Sequence, residues 1–428
     1  MTTTELSKID KFLSVFSSQD YSNEENYYIS LRTQAKEELK NLDFPTSKNE
    51  YWKYTRLGKI SNTDFCLGKQ ESIDINSFLI PDLDASVLVV VNGYLDESLS
   101  SKIQQKGITV CSLSHAKKTN QDSFSKRFNK NTASKNELFL TINNAFHSDG
   151  IFIEIDRNHI AEKPFHILNI TTSNQSATTS RNVFISQPNS QLKIVESFVN
   201  LNGEANFQNH VTEIFVEENA HLEYNKIQEK SNNNFSVTTE QVQQKANSNF
   251  TINTATFSGA LVRNNLNVKI EAENCETHLY GLYLAKNKDH IDNHTVIDHK
   301  EPHCNSFEVY KGVLEDESTG VFNGKVFVRP NAQKTNAFQQ NNNILLNDTA
   351  TIYSKPELEI YADDVKCSHG STTGQIDDVA IFYLQSRGIG KQSALKLMIS
   401  AFAKDALDKI SIEPLHDFIN LKIEQRFE

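Results

Sequence analysis

The spacing of apolar and polar positions changes twice along the chain and divides it into three zones. In the first, Leu6, Ile9, Phe12 and Phe16 recur at three- and four-residue steps behind Thr2-x-x-Glu5, which predicts a capped amphipathic helix. Ser22-x-x-Glu25 opens a second predicted helix, with Tyr28, Leu31, Ala35 and Leu39 on one stripe, ending before Pro45. Glu50-Tyr-Trp-Lys-Tyr-Thr55 follows and holds the one tryptophan. From about residue 85 short β-type runs take over. Val87 to Val91 reads as a buried strand. Similar runs follow at 150–155, 165–170, 191–198, 211–216, 250–257, 277–284, 307–313 and 358–361, separated by Asn, Ser, Thr, Asp and Gly, the residues of turns. No long helical period lies between 150 and 370. After Gly374 the spacing is helical again. Asp377-Asp378 caps a short helix carrying Val379, Phe382 and Tyr383, which stops at Gly388. Ser393 starts the next, with Leu395, Ile399, Phe402, Ala406 and Ile410 on one stripe. Pro414 suits the first turn of a last helix with Leu415, Phe418 and Ile419. The expected organisation is an N-terminal helical region over 1–84, a β core over 85–374 and a C-terminal helical region over 375–428.

Stacked sandwiches, a propeller or a β-helix can each hold that much strand. Blade signatures and hexapeptide repeats are missing, Asn-Gly hairpin signals are few, and the runs recur at roughly ten to fifteen residues. A solenoid whose rungs differ in sequence accommodates this better than a sandwich does, and pattern alone leaves both open. In a solenoid, buried Asn and Thr side chains would hydrogen-bond from rung to rung, which would use the many Asn residues here.

Composition narrows the function. The 428 residues are 38% hydrophobic, with no apolar run long enough to span a membrane. The first ten residues lack the basic and apolar parts of a secretion signal, so a soluble cytoplasmic protein is expected. Net charge is −11 and no basic tract interleaves with aromatic residues, which argues against nucleic-acid binding. The five cysteines, at 66, 111, 275, 304 and 367, are odd in number and widely spaced, which argues against a disulfide framework or a local zinc site.

Gly388-Ile-Gly-Lys-Gln-Ser393 imitates a phosphate-binding loop and fails it. Gln385 stands where the motif needs glycine, Gln392 where it needs a hydroxyl, and a helix precedes it instead of a strand. His290, His294, His299, His303 and Cys304 suit a metal by ligand type. On a strand His290 and His294 share a face, but His299 and His303 are expected beyond a turn around 298–302, so structural or surface roles weigh more. The acidic pairs Glu357/Glu359 and Asp363-Asp364 admit a polysaccharide-cleaving β-helix enzyme, but no aromatic sugar platform accompanies them. A G-x-S-x-G turn is absent.

Lys366-Cys367-Ser368-His369-Gly370 remains. On an extended chain Cys367 and His369 leave by the same face, and a thiol beside an imidazole suits iron or sulfur handling. The run around it, 356–370, with its continuations 377–390 and 394–402, resembles the SufB/SufD family. So do Glu50-Tyr-Trp-Lys-Tyr-Thr55, Asn323-Gly-Lys325 and Gln339-Gln-Asn-Asn-Asn343. The length and the form of the 366–370 motif are more similar to the SufD branch than to the SufB branch, its nearest rival. The resemblance implies a right-handed parallel β-helix flanked by helical parts. It also implies a non-catalytic scaffold subunit of iron–sulfur cluster assembly. Such a subunit pairs with a SufB-like chain through the β-helix ends, or with a second copy of itself in isolation, and binds a SufC-like ABC-type ATPase through its C-terminal helices. His369 would then be a cluster-site residue contributed across the interface, and Cys367 its accompanying thiol. Gln392, Lys396 and Asp405 would meet the ATPase, while part of the 395–406 stripe packs on the β-helix end. The iron–sulfur cluster would be transient and shared, with none tightly bound to this chain. A [4Fe–4S] cluster takes four ligands, so the partner must supply the rest.

Overall fold

The computed structural model describes residues 7–427 except 70, 104, 120–121, 133–136, 173–174, 202–203 and 230–232; Thr2, Glu5 and Leu6 of the expected capping box lie outside the described residues. The chain winds as a parallel β-helix. Each turn gives one strand to each of two ten-stranded sheets, and a strand pairs with the next but one in sequence. In the second sheet His221, Asn249, Glu276, Asn305, Asn336 and Lys366 stand in register, one per rung. Among the described residues antiparallel pairing occurs only near the start, where Ser86–Val91 meets Tyr94–Asp96 and Ile108–Ser112 meets Ile151–Ile155.

The asparagines serve two purposes. Asn158, Asn189, Asn219, Asn247 and Asn274 occupy the same corner of successive rungs at φ between 55° and 61°. Asn tolerates this left-handed geometry best among residues with a side chain. His303 and Lys334 continue the column at 60° and 63°. Neighbouring corners are also bonded, with Asn189 Nδ2 donating to Asn158 (2.7 Å) and Asn219 Nδ2 to Asn189 (3.0 Å). Buried rungs use the same device. Asn253 donates to Asn225 at 2.8 Å and Asn264 to Asn293 at 2.9 Å, the rung-to-rung bonding expected above.

Between the sheets lies the main core, from Ile153, Phe184 and Ile194 to Phe322 and Val328. Its aromatic rings need gaps in the wall: a Cβ on Gly281 would lie 2.2 Å from the Tyr310 ring. Helices cover both outer faces. Helix α1 (Lys8–Ser14), α2 (Asn26–Leu39), α3 (Gly58–Ser61), α4 (Leu113–Thr119), α5 (Asp122–Arg127) and α6 (Leu138–Phe146) belong to the N-terminal part. Phe12, Phe16, Phe139 and Phe146 pack with Phe207 and Val237 of the first sheet. Helix α7 (Asp378–Ser386), α8 (Lys391–Leu407) and α9 (Glu413–Arg426) follow the last strand. No helix among the described residues is long and apolar enough to cross a membrane.

Four expectations are corrected. α2 begins at Asn26, not after Ser22, because the Ser22 N–H is held by Asp20 in a turn; Glu25 precedes the helix without a side-chain cap bond. α4 to α6 fall inside the 85–374 zone expected to be β core, in a stretch where no strand or helix was read. Leu138, Phe139, Ile142, Ala145 and Phe146 of α6 recur at helical spacing, but over only nine residues, nearly all of them buried. α8 starts at Lys391 behind Gly390, ahead of Ser393, and stops before Ile410. Its stripe packs on the flank of the solenoid, not its end. Ile399, Ala403 and Leu407 meet the outward residues Ile227, Ala255, Leu282 and Val313 of the second sheet, which form an apolar strip long enough for two helices.

Candidate functional site

The last strand of each sheet has a neighbour on one side only. Thr351–Ile360 pairs with Thr319–Val328, and Lys366–Gln375 pairs with Asn336–Leu345. The other edges present unpaired backbone groups, a template for another chain. Cys367 and His369 sit on this open end. Their register partners, Ala337 and Gln339, are buried facing the interior, so both side chains turn toward the mouth of the solenoid. Cys367 is half-buried against the rim of the core, and burial pushes its thiol up, so it stays protonated in the free chain. The exposed His369 reaches across the mouth, its Nδ1 3.0 Å from the Pro356 carbonyl oxygen. A carbonyl only accepts, so Nδ1 carries the proton in this contact, and Nε2 is the ring nitrogen left facing away from it. Ser371 Oγ crosses the same gap to Ser354 Oγ at 2.8 Å, and Ser354 donates to Asn341 Oδ1 at 2.7 Å.

Behind the mouth the interior is polar. Gln339 Nε2 donates to Glu308 Oε2 at 2.7 Å, and burial pushes the Glu308 carboxyl up to about 7. Gly324 leaves the room for this amide, since a Cβ there would stand 2.4 Å from it. Asn343 donates to Asn341 at 2.8 Å and accepts from the Tyr283 hydroxyl. Gly324, Gln339, Asn341 and Asn343 thus build the polar floor beneath His369, while Lys325 turns outward to Glu359 (2.7 Å).

The Glu50 to Thr55 segment is a clip on the first sheet. Trp52 is buried with the Arg263 guanidinium 4.2 Å from its ring, and Arg263 Nη1 donates to the Tyr51 carbonyl (2.8 Å) and Asp292 (2.6 Å). Thr55 bonds to Asp292. Tyr54 stacks on Tyr353 at 4.0 Å, and Lys355 Nζ lies 2.7 Å from Glu50.

Three of the four histidines between 290 and 304 have a side-chain partner of their own. His290 meets Thr55 at 2.9 Å, His294 meets Asp292 at 3.0 Å and His299 meets Ser306 at 2.9 Å. His299 ends its strand, so the turn begins after it, and His303 takes the corner. Among the described residues no three His, Cys, Asp or Glu side chains are grouped to hold a metal ion. Burial pushes His299, and likewise His166, down to about 4 from 6.5. The unfolded chain therefore binds more protons than the folded one between about pH 6.5 and 4. Stability is full above that window and falls as pH drops through it, by up to about 3 kcal/mol for each ring. Urea midpoints at about pH 7.5 and 5 should show this loss, and His299→Gln should flatten it; an unchanged slope would assign the acid sensitivity elsewhere.

Gln392, Lys396 and Asp405 all lie on α8, away from the mouth. Asp405 is exposed but anchors its helix, 2.5 Å from Lys311 Nζ of the second sheet. The larger uncovered surface is on α7, where Val379, Phe382 and Tyr383 are 76%, 71% and 57% exposed and Ile381 alone is buried. The stripe is visible in the sequence; that no described residue covers it is not.

The family described as SUF system FeS cluster assembly, SufBD core domain, matches residues 169–402, and the one described as SufBD protein N-terminal region matches 9–167. The iron–sulfur cluster assembly protein SufD of Escherichia coli is 30% identical over 401 residues, covering 92% of each chain. An iron–sulfur cluster assembly SufBD family protein of Synechocystis is 29% identical over 424 residues, 95% of this chain and 93% of that one. SufD of Bacillus subtilis is 24% identical over 428 residues, 96% of each. Two adjoining family matches, relatives alike along nearly their whole length and a parallel β-helix ending in the 366–370 motif agree: the chain belongs to the SufBD family of iron–sulfur cluster assembly proteins and is SufD-like within it.

Proposed function

We propose that this chain is a non-catalytic scaffold subunit of a cytoplasmic cluster-assembly complex. It pairs through its open end with a SufB-like chain and carries a SufC-like ABC-type ATPase on its C-terminal helices. The nascent iron–sulfur cluster is the cargo of that complex, built at the shared mouth and passed on, and not a resident cofactor of this chain. The observation that carries the reading is the bond from His369 Nδ1 to the Pro356 carbonyl, at the end of the solenoid where the last parallel strand of each sheet has a free edge. It fixes the tautomer that offers Nε2 outward, the arrangement metal-binding histidines commonly use. Cys367 adds a thiol that must give up its proton as iron binds. The glycine segment supports an ATPase on a separate chain. Gly388, at φ 87°, ends α7, and Lys391 opens α8, so the segment turns from helix to helix and offers no strand-to-helix phosphate cradle. Edge pairing supports the SufB-like partner, since each final strand can accept ten further residues in register.

His369→Ala in the reconstituted complex should lower iron and sulfide content by at least about tenfold, while subunit association stays at the wild-type level. Full cluster content with His369→Ala would remove the site assignment. Loss of association together with cluster would make the residue structural.

A further inference from the structure

The Pro356 carbonyl is useful only if its strand is held in place, and that strand is poorly held. Thr351–Ile360 has a single sheet neighbour, and Pro356 brings no N–H to the ladder. Its outward side chains, however, meet a distant segment. Tyr353 stacks on Tyr54 with ring centroids 4.0 Å apart and planes within 10°. Lys355, directly before Pro356, reaches Glu50 at 2.7 Å and Glu357 at 3.2 Å. The segment that supplies Glu50 and Tyr54 is itself fixed two and three rungs deeper, through Thr55 to Asp292, Trp52 against Arg263 and Arg263 to Asp292. A continuous line of contacts thus runs from the buried rungs, through residues 50–55, onto the terminal strand and its Pro356 carbonyl.

We infer that Glu50 and Tyr54, with Lys355 and Tyr353, are positioning residues for His369: the N-terminal clip holds the last strand of the first sheet so that Pro356 selects the imidazole tautomer with Nε2 free. The inference rests on the proposed role of His369. It makes the clip part of the site, although more than 300 residues separate Glu50 from Lys355 in sequence. An isolated imidazole in water favours the opposite tautomer, with the proton on Nε2, so releasing the strand changes which nitrogen is offered.

The test uses the full chain, with ring nitrogens of 15N-labelled histidine observed by NMR and the His369 signals identified by their loss in His369→Gln. In wild type the His369 ring should report the Nδ1–H form. In the double variant Tyr54→Ala, Lys355→Met it should shift toward the Nε2–H form, and cluster content of the reconstituted complex should fall severalfold at unchanged subunit association. Tyr54→Phe alone, which keeps the stacked ring, should behave as wild type, and a thermal melt of each variant verifies folding. Wild-type ring signals in the double variant would overturn the inference, and so would full cluster content where His369→Ala has lost it; the site itself would stand in both cases. If His369→Ala keeps full content, the site reading falls, and the ring signals of the double variant still decide whether the clip sets the tautomer.

Discussion

Arg181→Ala is expected to cost about 3–5 kcal/mol of folding stability, the range found when one member of a buried ion pair is removed. Arg181 sits on the strand Ser176–Ser186 with no exposed surface, and Glu213, on the next strand of the same sheet, is equally enclosed. The guanidinium donates to Glu213 Oε1 from Nε (3.1 Å) and Nη2 (2.6 Å), to Asn144 at 2.7 Å and to Asn129 at 3.1 Å, and lies 4.7 Å from the centre of the Phe128 ring. One side chain therefore ties the first sheet to the end of α6 and to the segment after α5. Truncation leaves the Glu213 carboxylate in a dry site with only the Asn129 N–H on Oε1, while its Oε2 has no partner to begin with. Urea unfolding of the full chain measures the loss. Arg181→Met with Glu213→Leu should recover much of it, because no charge is then left stranded; a single variant within about 1 kcal/mol of wild type would show that water reaches the site.

The second large effect is expected on α7. Aromatic residues central to an interface commonly contribute 2 kcal/mol or more, so Phe382→Ala should weaken the proposed ATPase contact by roughly thirtyfold. Phe382 is mostly exposed, and Ile381 does the packing that holds α7, so the free chain should melt as wild type. A charge introduced by Gln392→Glu at that exposed position should act less, since exposed charges alter encounter rates more than they alter affinity. Titration of purified ATPase against each variant separates these effects. Unchanged affinity for Phe382→Ala would take α7 out of the interface.

The three zones were legible because spacing is local: period two and period 3.6 are written into neighbouring side chains. What spacing withholds is pairing. The corner asparagines at 158, 189, 219, 247 and 274 mark the rungs 27 to 31 residues apart. Asparagine is too common here for them to stand out, and His303 and Lys334 break the series. Helix α6 was missed although Leu138, Phe139, Ile142, Ala145 and Phe146 keep a helical spacing, because nine residues are too few to stand out within a zone of strand-like runs. At the site, the shared direction of Cys367 and His369 follows from strand geometry, and their residue types suggest iron chemistry. That they stand at a free edge depends on where the winding stops, and the acceptor for His369 comes from a strand of the other sheet. Ser22 misled for a related reason, since a hydroxyl before an acidic residue fits a turn as well as a helix cap.

A stack whose units touch only their neighbours does not melt evenly. The first rung is closed by antiparallel strands, and the flanks are strapped by helices on both sides. The last rung has a single neighbour, so fraying starts there and amide exchange slows step by step inward from it. The softest part of the described solenoid is thus the end proposed to receive a partner, and a chain that added strands to that edge would stiffen it in the act of binding.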